Sequence, residues 1–174
     1  MASIIRVDSI RDSGDNVIVS SNGSGTFTNN LGIDNTPSWM AQANSAQSVS
    51  ANTNTKINFG NEIYDTNNAF SDSRFTCPSG GDGKYFVSAQ TGLANLPANK
   101  YNQVRLYKNG SNIGEALGLV NFANGTDGLV LINFNITLVA GDYLEIFGRH
   151  DNSSSLNTRQ SNDVFFTGYK IIGA

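Results

Sequence analysis

The chain has 174 residues, a formal net charge of −3 at pH 7 and only 14% charged side chains. Its length suits one good-sized domain with a short appendage. The scarcity of charge, together with 18 glycines and 3 prolines, is typical of a β-rich protein with many turns. The acidic balance argues against nucleic acid as a partner, because binding to a phosphate backbone needs a basic stripe.

Neither a membrane span nor an internal disulfide is predicted. No apolar run approaches the ~18–20 residues that cross a bilayer, and Arg6 and Asp8 stand where a signal peptide would have its apolar region. Cys77 is the only cysteine, so no disulfide can staple the fold. We therefore expect an unprocessed protein, made in a cytosol, whose stability comes from packing and assembly.

Residues 1–35 are predicted to form an N-terminal arm. Two short β-prone runs, 4–7 and 17–19, flank a turn cluster at 12–16 and suit a small hairpin. Residues 22–25 follow as a flexible joint. Two strands alone are marginally stable in water, so we expect the arm to be anchored on a neighbouring subunit or a larger assembly. Its attachment residues are predicted to be Ile4, Ile5, Val7, Ile10, Val17 and Val19.

Residues 36–174 are predicted to form the main, all-β domain. Strands are expected at 39–42, 55–59, 74–76, 83–92, 102–108, 113–119, 128–139, 142–148 and 164–172. Turn signals separate them at 78–82, 109–110, 124–125 and 140–142. Many short strands without a helical period indicate a sandwich or a barrel. The strand from Gly128 has the clearest alternation, with a core face of Val130, Ile132, Phe134, Ile136 and Leu138.

The last strand, 163–172, is apolar on both faces. Phe165, Thr167, Tyr169 and Ile171 share one face, and Val164, Phe166, Gly168, Lys170 and Ile172 share the other. A large apolar side chain left in water forfeits ~1.5–3 kcal/mol. We therefore expect this strand to be central in its sheet, with one face on the core and the other against another subunit.

Five motifs in one order resemble the complement C1q-like globular domain. They lie at 64–70, 74–87, 104–110, 138–145 and 166–172, and the resemblance covers about residues 37–174. It implies a ten-strand jelly-roll β-sandwich that assembles as a compact homotrimer, with the terminal strand near the interface. On that basis the interface is predicted to include Trp39, Tyr85, Leu131, Phe165, Tyr169 and Ile171.

The opening of the arm, residues 4–10 followed by Ser13 and Gly14, resembles the start of tailed-phage virion structural proteins, where C1q-like domains also occur. The resemblance implies a non-enzymatic virion protein made in the bacterial host cytoplasm. The favoured role is a trimeric capsid decoration, or cement, protein on the major capsid protein or another virion protein. The alternative is a tail-fibre or head-fibre tip whose loops at 94–100 and 152–162 contact a host glycan.

No residue pattern predicts catalysis. His150 stands alone near the end of a strand, and Cys77 is expected to be a buried structural thiol. The carboxylates of Glu62, Asp65, Asp72, Asp82 and Asp127 have no recognisable catalytic spacing. A glycan-processing enzyme on the same scaffold is therefore disfavoured. No cofactor is expected, although the C1q-like resemblance allows a calcium ion at the trimer apex, held by loop oxygens.

Overall fold

A computed structural model describes residues 7–21, 23–24, 27–29, 35–122 and 126–171. Over these ranges the secondary structure is entirely β. The strands are β1 (Ser9–Arg11), β2 (Val17–Ser21), β3 (Phe27–Asn29), β4 (Ser38–Ala43), β5 (Ser48–Val49), β6 (Thr55–Lys56), β7 (Asn61–Asp65), β8 (Phe70–Ser71), β9 (Arg74–Thr76), β10 (Gly83–Leu96), β11 (Lys100–Lys108), β12 (Ser111–Phe122), β13 (Thr126–Leu138), β14 (Tyr143–His150), β15 (Leu156–Asn157) and β16 (Ser161–Lys170). None of the described residues belongs to a helix that could span a membrane.

The chain divides into two compact units, and the first, Met1–Asp34 with Ile172–Ala174, contains a small sheet in the order β1-β2-β3. Strands β1 and β2 pair antiparallel, with Ile10 opposite Val19. The Asp12 carboxylate accepts the N–H groups of Gly14 and Asn16 at 2.8 and 2.9 Å and closes the turn between them. The prediction placed the first strand at 4–7, which is wrong at Val7, because β1 begins at Ser9.

The second unit, Asn35–Ile171, is a jelly-roll sandwich of two antiparallel sheets. One sheet, called here the five-stranded sheet, has the order β13-β10-β16-β4-β7. The other, the six-stranded sheet, has the order β12-β11-β14-β9-β8, with β6 also paired to β14. The last strand, β16, therefore lies at the centre of its sheet, as predicted from its two apolar faces.

The core between the sheets is built around Trp39. Its ring stacks on Phe75 at 3.7 Å and meets the edge of Phe166 at 5.4 Å. Gly168 makes room for it, since a Cβ added there would lie 2.4 Å from the Trp39 ring and 2.8 Å from the Phe86 carbonyl oxygen. Contacts this close leave no space for a side chain, so Gly168 lets the indole lie flat against β16.

The predicted alternation of β13 is confirmed. Val130, Ile132 and Leu138 are buried, while Asn133 and Asn135 are exposed. Some strands were not predicted: β5, β8 and β15 have two residues each, and β7 carries the mixed sequence Asn-Glu-Ile-Tyr-Asp. Such segments have too few apolar residues to show a period of two.

Candidate self-association surface

The two faces of β16 differ in their surroundings as its alternation predicts. Val164, Phe166 and Gly168 point into the core and are buried. Phe165 and Thr167 are half-buried on the opposite face, where Tyr169 remains 39% exposed. Because the sandwich covers only the inner face, the outer one is the surface that the sequence assigned to another subunit.

The outer face of the five-stranded sheet carries no Asp, Glu, Lys or Arg in its three central rows. Each row contains one outward residue of β16 and the residues paired with it across the neighbouring strands. The rows are Leu131, Gln90, Phe165, Gln42 and Asn61; Asn133, Ser88, Thr167, Met40 and Tyr64; and Asn135, Phe86, Tyr169 and Ser38. Depletion of charge with aromatic and Met enrichment is the composition of an interface centre.

Two polar side chains of β10 and β16 on this face are bonded within the chain. The Thr167 hydroxyl donates to the Trp39 carbonyl oxygen at 2.7 Å, and the Gln90 amide donates to the Asp163 carbonyl oxygen at 3.2 Å. Phe86 and Tyr169 pack together with ring centroids 5.4 Å apart. A partner covering the Thr167 and Gln90 side chains would leave their bonded groups paired, which lowers their desolvation cost.

The predicted interface residues separate into two groups. Leu131 is 46% exposed and Tyr169 is 39% exposed, and Phe165 and Ile171 are half-buried. Trp39 and Tyr85 are instead 0% exposed in the core of the single chain. The assignment of these two residues to the interface is corrected. On their strands the polar residues Gln42, Ser88 and Gln90 occupy the outer face. Because side chains alternate along a strand, Trp39 and Tyr85 point inward.

A second apolar surface lies along the sandwich edge formed by β12 and β13. Four leucines project from these two strands and are between 39% and 51% exposed: Leu117, Leu119, Leu129 and Leu131. The strands come close at Gly118, where an added Cβ would lie 2.9 Å from the Leu131 carbonyl oxygen. Sequence reasoning named only Leu131, although the alternation of Leu117 with Leu119 was a signal for the others.

The arm presents its own apolar residues. Val7 is 56% exposed and Ile10 is 52% exposed, while Val17 and Val19 are half-buried. An open groove of about 350 Å³ is lined by Val7, Asp8, Ser9, Ile10, Val19 and Ser21. The remaining predicted attachment residues, Ile4 and Ile5, lie outside the described residues.

His150 and Cys77 have structural surroundings. The Nδ1 atom of the buried His150 accepts the N–H of Asn152 at 3.2 Å, so Nε2 carries the proton and donates to the Val49 carbonyl oxygen at 2.9 Å. Cys77 is 1% exposed, and burial raises the pKa of its thiol. A neutral, fully bonded imidazole and a buried thiol both lack the access that a catalytic group needs.

The carboxylates weighed for catalysis mainly organise loops. Asp65 accepts the N–H of Phe70 at 2.7 Å, Asp82 accepts that of Ala140 at 2.7 Å, and Asp127 accepts that of Asn95 at 2.9 Å. Glu62 and Asp72 line a shallow pocket next to Phe59. No group of three potential metal-ligating side chains occurs among the residues that the structure describes.

Three of the sequence motifs meet at one end of the sandwich. Asp142 binds the ammonium of Lys108 and the amide of Asn109, both at 2.7 Å, and these bonds lower the pKa of its carboxyl to about 2. The Cys77 N–H donates to the Asp142 carbonyl oxygen at 2.8 Å. The motifs at 74–87, 104–110 and 138–145 thus tie neighbouring turns of this chain to one another.

Comparisons with known proteins identify the fold. No family model and no curated protein sequence matches the chain. Among solved structures, the globular domain of zebrafish complement 1qA superposes with a TM-score of 0.58 at 16% identity, covering 78% of this chain and 97% of that one. Murine APRIL superposes with a TM-score of 0.57 at 11% identity, covering 77% of this chain and 98% of that one. The Eiger TNF of S. frugiperda superposes with a TM-score of 0.55 at 11% identity, covering 79% of this chain and 93% of that one. The predicted C1q-like, all-β jelly roll is confirmed.

Proposed function

We propose that the chain is a homotrimeric, non-enzymatic structural protein of a phage virion, made in the host cytoplasm and used to decorate the capsid. The observation that supports it best is the uncharged outer face of the five-stranded sheet, which includes Phe165 and Tyr169. In this proposal the sandwiches join through that face, and the arm attaches the trimer to the major capsid protein or another virion protein.

A cyclic assembly uses two adjoining apolar surfaces of one sandwich. The sheet face around Tyr169 and the leucine edge at Leu117 and Leu119 share Leu131 and face different directions of the sandwich edge, so one copy's edge can cover the next copy's face. Repeated around a threefold axis, this head-to-tail contact closes into a ring with no patch left over. Each contact should bury at least the ~800 Å² per partner of a standard interface.

The oligomeric state tests the assembly directly. Light scattering of the full chain at micromolar concentration should give the mass of three copies of the 18.6 kDa chain. The two apolar surfaces are the physical reason, because leaving them in water forfeits burial free energy. A stable monomer, in solution and on its particle, would contradict the proposal.

The arm is proposed to attach the protein to the particle and not to be needed for folding of the jelly roll. Its sheet belongs to a compact unit separate from the jelly roll, and Val7 and Ile10 remain more than half exposed, available to a partner surface. Deleting residues 1–35 should leave a soluble trimer that no longer joins bare particles. Unchanged occupancy of the truncated protein on particles would show that the arm is not the anchor.

Particles lacking the protein separate the capsid role from the fibre-tip alternative. A trimer that binds only assembled coat adds RT ln(1 + [L]/Kd) per site, about 2.7 kcal/mol at a hundredfold excess over Kd. Its loss should therefore lower the temperature of genome release while host adsorption is retained. Unchanged heat resistance with failed adsorption would reject decoration and support a fibre tip that binds a host glycan.

A further inference from the structure

The outer face of the six-stranded sheet is cationic although the chain as a whole is acidic. Among the described side chains of its strands, Lys56, Arg74, Arg105 and Arg149 share this face with one carboxylate, Glu145. Lys56 and Arg74 both contact Glu145, at 2.8 and 2.9 Å. Lys56 also lies 3.9 Å from the Asp72 carboxylate, so these two cations face two carboxylates and the remaining positive charge is at the two other arginines.

Arg105 and Arg149 are neighbours on this face. Gln103 pairs with Arg149 across β11 and β14, and Arg105 lies two residues further along β11. Diagonal pairs of this kind are ~7–8 Å apart at their Cα atoms, within reach of long side chains. No ion pair joins either arginine to a described carboxylate.

The two guanidinium groups are held in different ways. Both Nε and Nη2 of Arg105 donate to the same neutral acceptor, the Gln103 side-chain oxygen, at 3.2 and 2.7 Å. The Nε atom of Arg149 is shielded from water and has no hydrogen-bond partner in the described chain. A shielded donor without an acceptor is costly. Because this Nε is closed to water and the Arg105 Nε and Nη2 are already bonded to Gln103, a ligand carboxylate would meet the remaining Nη atoms of the two guanidinium groups.

Aromatic rings flank the arginines. Tyr107 and Phe147 lie on the same face, with ring centroids 4.0 Å apart, and Phe147 is directly opposite Arg105. The Tyr107 hydroxyl accepts the Asn54 amide at 2.9 Å. Sugar rings have an apolar C–H face that packs on aromatic rings, and their hydroxyls bond to neutral amides. Cations beside aromatic rings and amides thus combine an apolar platform with a few directed polar groups.

We propose that Arg105 and Arg149 bind the carboxylate of an acidic saccharide, and that the Tyr107 and Phe147 pair receives the apolar face of its ring. A polymer attracted by charge alone is disfavoured, because the net charge of the chain is −3 and long-range attraction would be weak. Recognition is local and depends on the two arginines. Arg105 pairs with Leu117 of β12, so the site borders the leucine edge.

Isothermal titration of the full-length protein with tetragalacturonate tests the site. Saturable binding is expected, and the methyl ester of the same tetrasaccharide, which lacks the charge, should bind at least tenfold more weakly. The substitutions Arg105→Gln and Arg149→Gln should each lower the affinity at least tenfold. Arg105→Lys should restore only part of it, since lysine keeps the charge but not the bidentate geometry.

Arg159→Gln is the matched control. It removes the same charge from a guanidinium that already contacts the carboxylates of Asp127 and Asp163, and the affinity should stay within twofold. Circular dichroism establishes that each variant is folded; if Arg149→Gln is not, the Arg105 variants decide alone. Equal losses in the control and the site variants would overturn the proposal. So would the absence of saturable binding, or equally strong binding of inorganic phosphate or an Asp-rich peptide.

Discussion

The two outer faces of the jelly roll are opposite in character, although they belong to one sandwich. The five-stranded face is uncharged in its central rows around Thr167, while the six-stranded face carries the Lys56, Arg74 and Glu145 cluster. In the cluster, Arg74 also lies over the Tyr143 ring, with its guanidinium carbon 4.1 Å from the centroid. The first face is suited to burial against another protein surface, whereas the second combines a paired ionic cluster with two arginines that form no ion pair with a described carboxylate.

The core that both faces share should dominate stability. Trp39→Ala removes the ring stacked on Phe75, and such truncations cost about 3–5 kcal/mol of unfolding free energy. The loss should not depend on protein concentration in denaturant titrations, because Trp39 is buried within one chain. If the loss of unfolding free energy disappeared on dilution, Trp39 would have to be assigned to the interface.

The next largest effect is expected on the assembly, when a charge is introduced on one face and compared with a charge on the other. Tyr169→Asp should raise the dissociation constant of the assembly at least a hundredfold, about 2.7 kcal/mol, because an unpaired charge would be buried at the contact. Thr76→Asp is the control on the six-stranded face, where Thr76 is exposed opposite Tyr143. Sedimentation equilibrium measures both variants. Equal dissociation by the two substitutions would remove the distinction between the faces.

Acid should lower the stability of the fold by protonating two carboxylates, Glu145 in the ionised cluster and Asp142 at the end of the sandwich. Burial alone would raise the pKa of Glu145, but hydrogen bonds from Lys56 and Arg74 outweigh it and lower that pKa; the pKa of Asp142 falls to about 2. Both carboxylates therefore stabilise the fold above their unfolded pKa values, and the contribution is lost as the pH falls from about 4.5 towards 2. We expect a loss of about 1–2 kcal/mol in unfolding free energy.

The variant Glu145→Gln isolates the cluster in that titration. It removes the carboxylate without emptying the site, so the slope of stability against pH between about 4.5 and 2 should decrease. Chemical denaturation at each pH measures the slope. An unchanged slope would mean that the Glu145 bonds contribute nothing to folding.

Salt should produce the smallest difference. Exposed ion pairs contribute about 0–1 kcal/mol and are screened, so raising NaCl from about 0.05 to 1 M should cost the monomer only a few tenths of a kcal/mol. Association through the uncharged face should not weaken, and its dissociation constant is expected to stay within about threefold or decrease. Marked dissociation at high salt would assign the contact to the ionised face.

The fold was largely predictable, and the faces were predictable only in part. Strict alternation in β13 and the two apolar faces of β16 identified the sandwich and its central strand. Trp39 and Tyr85 were assigned to the interface because a large aromatic residue alone does not say which way it points; its polar neighbours do. The close pairing of Arg105 and Arg149 was not predictable, because it arises from the register of β11 against β14, which are separated by more than 30 residues.

The buried Cys77 has a consequence for labelling chemistry. It is the only cysteine of the chain, it is 1% exposed and burial raises its pKa, so little thiolate is available to react at neutral pH. A cysteine introduced at the exposed Thr76, opposite Tyr143 on the six-stranded face, would therefore be the one reactive thiol of the folded protein. A dye or spin label attached there would mark each subunit at one known position without any need to remove the native cysteine.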